Sequence, residues 1–285
     1  MVLALTLRVA ASALRRPRTL HLGDDRNQVA ELYLPAGPPP AAGFGVAVVL
    51  HGGYWRTQYG KLTCRPLAAR LQQLGWAVWN VEYRRVGAGR NGGGGWPETF
   101  EDVAHAVDAL ADLGAADSHG NHGIDAPLDL RSVVVLGHSA GGQLALWAAG
   151  RSQLPSGTLG AEPRVRPSAV VALAPVTDMT SAGEAALHLL GGDAATYPER
   201  WAGADPTRAA PPDVPTLVVH PQDDQTIPVV RSRTFVERCR AAGADVTLAD
   251  PPGEGHQHVI LPGSRSWAAA ESFLEAHRAG VQRPQ

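Results

Sequence analysis

Apolar residues in this chain come in short unbroken blocks separated by amphipathic stretches, and that alternation predicts the architecture. Residues 46–50 (Val-Ala-Val-Val-Leu), 132–136, 169–173 and 216–219 are compact runs rich in valine. Apolar runs of four to eight residues without polar alternation are expected of strands buried on both faces of a parallel sheet. Residues 28–34, stopped by Pro35, and residues 76–81 and 245–248 read as further strands.

Between these blocks the apolar spacing widens to three and four. Leu67, Leu71 and Leu74 place a helix over 62–74, with Gly75 in the capping role. Phe100, Val103, Val107 and Leu110 share one face of a helix over 97–113. Residues 143–149, 228–242 and 267–277 read as helices, and 115–129 as a polar surface loop. The glycine-rich stretch 87–95 lacks the strand-then-helix setting of a phosphate-binding loop and reads as a connection. Strand and helix alternate from Val46 onward, which predicts an α/β fold: one mainly parallel sheet with helices on both faces. No repeat or domain boundary appears, so residues 20–285 are expected to form one domain. The weakly patterned stretch 178–212 is expected to be a small cap over the carboxyl edge of the sheet, where such folds bind ligands.

Composition narrows the function classes. At 44% hydrophobic and 18% charged residues, the chain is a globular domain and not a disordered one. A net charge of −2 supplies no basic field for nucleic acid. Cys64 and Cys239 are the only cysteines; a single bridge is conceivable, but reduced, buried thiols are the expectation. The chain has no CxxC pair and no His/Cys cluster at zinc spacing. Residues 1–19 hold an apolar run interrupted by Arg8 and followed by Arg15-Arg16. That charge order is the reverse of a secretory signal, and the run is short of the ~20 residues of a membrane span. The expectation is a poorly ordered appendage on a cytoplasmic protein with no membrane partner, and a homodimer stays open.

The chemistry concentrates in four places. Gly137-His-Ser-Ala-Gly141 follows one predicted strand and precedes a helix, as a serine nucleophile on a tight strand-to-helix turn requires. Ser139 is therefore the candidate nucleophile. His51-Gly-Gly-Tyr-Trp55 follows the strand ending at Leu50, and a glycine-containing loop can turn its amides toward a developing oxyanion. The amides of Gly53, Tyr54 and Ala140 are the expected oxyanion donors. The acid should follow the strand at 216–219, where both Asp223 and Asp224 qualify by position; Asp224 is preferred. The base should lie in the loop before the last helix, where His256, flanked by Gly255, is preferred over His258. Trp55, Trp96 and Trp201 are candidate pocket-lining residues, although tryptophans at such positions more often belong to the core.

In these motifs the chain resembles the kynurenine formamidase and related carboxylesterase branch of the α/β hydrolases, over about residues 22–273. His51-Gly-Gly-Tyr-Trp55 is similar to that branch's HGGxW motif, and Gly137-His-Ser-Ala-Gly-Gly142 to its nucleophile motif. The segment from Asp224 to Pro228 resembles an acid-x-x-(Val/Ile)-Pro pattern, which favours Asp224, and Gly255-His256 resembles the histidine loop. Glu82-Tyr-Arg84 resembles a strand-end motif of these enzymes, whereas Pro221 stands where they carry glycine. The resemblance implies an α/β-hydrolase fold and hydrolysis of a small-molecule ester first, an aryl formamide second. A peptidase, or a non-catalytic ligand binder, ranks below both. The hydrolytic chemistry implies no metal or organic cofactor.

Overall fold

The computed structural model describes residues 17–114, 124 and 126–281. Most of the expected appendage, and residues 115–123 and 125 of the expected 115–129 loop, lie outside these.

Eight strands form one sheet in the order β1-β2-β4-β3-β5-β6-β7-β8. They are β1 (Arg18–His21), β2 (Val29–Tyr33), β3 (Phe44–Leu50), β4 (Ala77–Glu82), β5 (Leu128–His138), β6 (Ala169–Leu173), β7 (Thr216–Val219) and β8 (Val246–Ala249). β1 and β2 pair antiparallel, β2 joins β4 antiparallel, and every pairing from β4 through β3 to β8 is parallel. β1 is mostly exposed and begins at Arg18, inside the stretch expected to be an appendage; its four residues, Arg-Thr-Leu-His, show no apolar run to betray them.

Among the described residues eight α-helices flank the sheet: α1 (Arg65–Gln73), α2 (Glu98–Asp108), α3 (Leu110–Gly114), α4 (Ala140–Gly150), α5 (Glu184–Leu190), α6 (Pro198–Ala204), α7 (Val230–Ala241) and α8 (Arg265–Val281). The period of two along β3 divides the core between them. Val46, Val48 and Leu50 face one apolar cluster with Phe100 of α2, Leu144 of α4 and Phe235 of α7. Ala47 and Val49 face the other, with Leu67 and Leu71 of α1 and Trp267 and Leu274 of α8. Both faces of the sheet are therefore covered, which is why its strands carry no polar alternation.

Several boundaries differ from the sequence pattern for local reasons. The first turn of the expected 62–74 helix is a 3-10 turn, Lys61–Cys64, because Pro66 can only sit in the first turn of the α-helix that follows. β5 starts at Leu128, earlier than its valine run, and a register irregularity against β3 between Gly45 and Val46 separates that start from the run. The helix expected over 143–149 starts at Ala140, hard against Ser139. The cap stretch folds as a 3-10 turn, Met179–Ala182, followed by α5 and α6. Both cysteines are free and buried, Cys64 and Cys239 lying in different apolar clusters.

Candidate active site

Three loops at the carboxyl ends of β5, β7 and β8 bring Ser139, Asp224 and His256 together. Ser139 occupies a turn with φ 56° and ψ −117°, a conformation that side-chain-bearing residues avoid unless the surroundings hold them there. The turn is over-determined. The Ser139 amide donates to Leu173 O at 2.8 Å, and its carbonyl accepts from Gly142 N at 2.9 Å and Val176 N at 3.2 Å. A Cβ on Gly137 would collide with the Gly141 carbonyl, and one on Gly141 with the carbonyls of Leu50 and His51. Only glycine lets β3, β5 and α4 approach this closely.

His256 Nε2 lies 3.0 Å from Ser139 Oγ, and His256 Nδ1 lies 2.7 Å from Asp224 Oδ2. Asp224 Oδ1 accepts from the amides of Thr226 (2.7 Å) and Ile227 (2.9 Å). A second buried imidazole, His220, places Nε2 3.2 Å from Asp224 Oδ2 and 2.9 Å from Ile227 O, with its Nδ1 2.7 Å from Ser232 Oγ. Burial alone would raise the Asp224 pKa. Hydrogen bonds from His220 and His256, then from the Ile227 amide, outweigh it and hold the carboxyl well below its usual range. Pro221 does not divert the chain, because the turn closes from Asp224 N to Pro221 O at 3.4 Å and Asp224 still reaches His256.

The rivals at each position have other partners. Asp223 accepts from Gly253 N at 2.6 Å and so staples the acid loop to the histidine loop. His258 turns back on its own loop and accepts from Gly255 N at 2.9 Å. Glu254, beside the histidine loop, accepts from the amides of Arg265 (2.7 Å) and Ser266 (2.9 Å) at the start of α8. It thereby anchors that loop to the last helix.

The loop after β3 lies against the serine turn: a Cβ on Gly52 would come within 3.1 Å of Ser139 Cβ. Gly53, Tyr54 and Trp55 run at φ 118°, 55° and 56°, so the backbone twists three residues in succession. Among the described residues the amides of Gly53, Tyr54 and Ala140 donate to no protein acceptor. Ala140 also opens the eleven-residue α4, whose N-terminus favours negative charge. Behind the loop His51 is fully buried, its Nε2 2.7 Å from Glu82 Oε1, its Nδ1 2.8 Å from Gly52 O, and its ring stacked on Tyr83 at 4.2 Å. His138 donates from Nε2 to the His256 carbonyl at 3.1 Å and lies against the His256 ring at 4.7 Å. Burial, then the neighbouring His256, push His138 down to about 3, so it is neutral at ordinary pH.

The three tryptophans are placed by packing. Trp55 and Trp201 are buried in the core, with indole N–H groups donating to Gln143 Oε1 (3.2 Å) and Gly192 O (3.0 Å). Trp96 is half-buried, against Phe100 and beneath Gly203 of the cap. Missed in the sequence were the His51–Glu82 pair, His220 beside the acid, and Gln143. The first had a visible signal in two polar residues ending adjacent apolar strands; the other two had none beyond polarity in a buried run. Among the described residues no cluster of His, Cys, Asp or Glu could hold a metal ion, and no helix is long and apolar enough to cross a membrane.

An eight-stranded, mainly parallel sheet with helices on both faces and these three loops at its carboxyl edge is an α/β-hydrolase fold. The chain belongs to the BD-FAE family, whose model matches residues 30–239. Esterase LipC of Mycobacterium tuberculosis is 29% identical over 95% of this chain and 69% of its own length. The probable carboxylic ester hydrolase LipM of the same organism is 28% identical over 81% of this chain, which spans only 54% of that relative. Among solved structures, propionate-bound Est2, an esterase of Thermogutta terrifontis, has a TM-score of 0.72 at 18% identity, covering 95% of this chain and 97% of its own. Esterase B of Lactobacillus rhamnosis reaches 0.77 at 20% identity, covering 97% of this chain and 92% of its own.

Proposed function

We propose that this protein is a serine hydrolase that cleaves small carboxylic esters through an acyl-enzyme on Ser139. The observation that carries the reading is the unbroken chain from Ser139 Oγ through His256 to Asp224, at 3.0 and 2.7 Å. His256 Nε2 accepts the Ser139 proton as Oγ attacks the acyl carbon. Asp224 holds the Nδ1–H tautomer and stabilises the imidazolium that forms. The carbonyl π electrons move onto oxygen, and the free amides of Gly53, Tyr54 and Ala140 receive that oxyanion. Collapse expels the alkoxide, which takes its proton from His256. A water then repeats the sequence and releases the carboxylic acid. Preorganised amides of this kind contribute on the order of 3 kcal/mol each to the transition state. The esterase names of LipC and LipM support the ester reading. The same chemistry would open an aryl formamide, and the His51-Gly-Gly-Tyr-Trp55 and Gly137-His-Ser-Ala-Gly-Gly142 motifs keep that substrate as the second reading.

The test assays wild type and Ser139→Ala on p-nitrophenyl acetate, a longer p-nitrophenyl ester and N-formylkynurenine. Turnover by wild type should fall by roughly four to six orders of magnitude in the variant. A far higher kcat/KM on N-formylkynurenine would put the formamidase reading first. A wild-type protein that hydrolyses none of these and resists a fluorophosphonate label would defeat the reading.

A further inference from the structure

Gln143 is a buried amide on α4, a helix whose other residues from Ala140 to Ala149 are small or apolar and likewise buried. Its Oε1 accepts from Trp55 Nε1 at 3.2 Å and its Nε2 donates to Ala204 O at 2.8 Å. The orientation is dictated by the partners, since a flipped amide would set donor against donor and acceptor against acceptor. Ala204 is the last residue of cap helix α6, and Trp55 ends the twisted loop that carries Gly53 and Tyr54.

Two features show that both arms hold something that would otherwise move. Tyr54 and Trp55 sit at positive φ, a conformation that side-chain-bearing residues rarely adopt and that persists only when fixed from outside. Trp55 is fixed at its carbonyl by Val86 N (2.7 Å) and at its indole by Gln143. On the other arm, the cap meets α4 across a cavity of about 80 Å³ lined by Leu146, Trp147, Ala204 and Phe235 among others. Packing there is incomplete, so the Gln143–Ala204 bond is a fixed point between cap and helix.

We infer that Gln143 is a positioning residue that couples the seating of the cap helix to the aim of the oxyanion-binding amides, through Trp55. The inference rests on reading the 51–55 loop as the oxyanion-binding loop. A thionoester tests it, because sulfur accepts hydrogen bonds from those amides more weakly than oxygen does. Wild type should prefer an ester to its thionoester twin by a large factor in kcat/KM. Gln143→Leu and Trp55→Phe should each shrink that preference about tenfold or more, and the double variant should be no worse than either single. An ester preference that stays at the wild-type value in both variants, with only thermal stability reduced, would overturn the coupling and leave the oxyanion reading intact. Additive losses in the double variant would overturn it as well. Absence of any ester preference in wild type would instead overturn the oxyanion reading beneath it. Trp55→Phe keeps an aromatic ring in the core, so the question stands even if Gln143→Leu fails to fold.

Discussion

The chain buries two imidazole–carboxylate pairs with the same 2.7 Å contact, His256–Asp224 and His51–Glu82, and only one faces a serine. His256 leaves its second nitrogen to Ser139 Oγ at 3.0 Å. His51 spends its second nitrogen on the neighbouring Gly52 carbonyl and presses its ring against Tyr83 at an interplanar angle of 3°. The carboxylates differ in the same sense. Asp224 gathers two amides and His220, all fixed groups that hold its charge toward one imidazole. Glu82 is shared with Arg85 and the Lys61 amide and ties several segments to the sheet edge. A short His–carboxylate distance therefore says nothing by itself; the two pairs differ in what the second nitrogen meets, a serine on the strained turn after β5 in one and a neighbouring backbone carbonyl in the other.

The sharpest way to break the comparison is to delete each histidine. His256→Ala should lower kcat/KM on an active ester by about four orders of magnitude or more. It should leave the melting temperature close to wild type, because Asp224 keeps His220 and both amides. His51→Ala should show the reverse weighting. It opens a hole beneath Tyr83 and strips Glu82 of its shortest partner, costing about 3 kcal/mol. That corresponds to a Tm lower by roughly 5 °C for a chain of this size, with a smaller loss of rate. Equal rate losses in the two variants would erase the distinction.

A smaller effect separates the adjacent carboxylates. Asp224→Asn keeps the shape but offers an amide where His256 Nδ1–H needs an acceptor, and should cost about three to four orders of magnitude in kcat. Asp223→Asn should cost less than about tenfold, since the Asp223 carboxylate accepts from the Gly253 amide across the loop and not from His256. Steady-state kinetics on one ester checks both, and a larger loss at Asp223 would reverse the assignment.

Much of this was legible in the sequence for physical reasons that also mark its limits. The valine runs of β3, β5, β6 and β7 announce a doubly covered parallel sheet, because β-branched residues in blocks this short favour strands buried on both faces. Gly137 and Gly141 flank Ser139 because no Cβ fits at either, so the turn is written in residue types. Place after a strand gave Asp223 and Asp224, and the loop before the last helix gave His256 and His258, as candidates; it is the fold that sets Asp224 and His256 in line with Ser139. By contrast, β1 carries no pattern because its residues are mostly exposed. Trp55 read as core more readily than as pocket wall, and only the fold shows its N–H spent on Gln143, 88 positions away. The His51–Glu82 pair spans 31 positions and was visible only as two separate motifs.

The least conspicuous prediction concerns His138, the third histidine of the cluster formed with His256 and His220 around Asp224. An unfolded imidazole takes up a proton near pH 6.5, whereas His138 in the fold resists until about 3, chiefly because it is buried and then because His256 lies beside it. Between those values the unfolded chain binds more protons than the native one, so native stability falls as pH drops through the window. Asp224, held low in the fold, contributes in the same direction only below about pH 4, where an unfolded carboxyl protonates. Melting curves of wild type and variant taken from pH 8 down to pH 5.5 keep most of the carboxyl contribution out of the comparison. His138→Gln keeps a donor for the His256 carbonyl at the Nε2 position but cannot titrate. It should start below wild type in Tm at pH 8, and the gap should narrow steadily as pH falls. A gap of constant width across that range would mean that the His138 proton is not what the acid limb of stability reports.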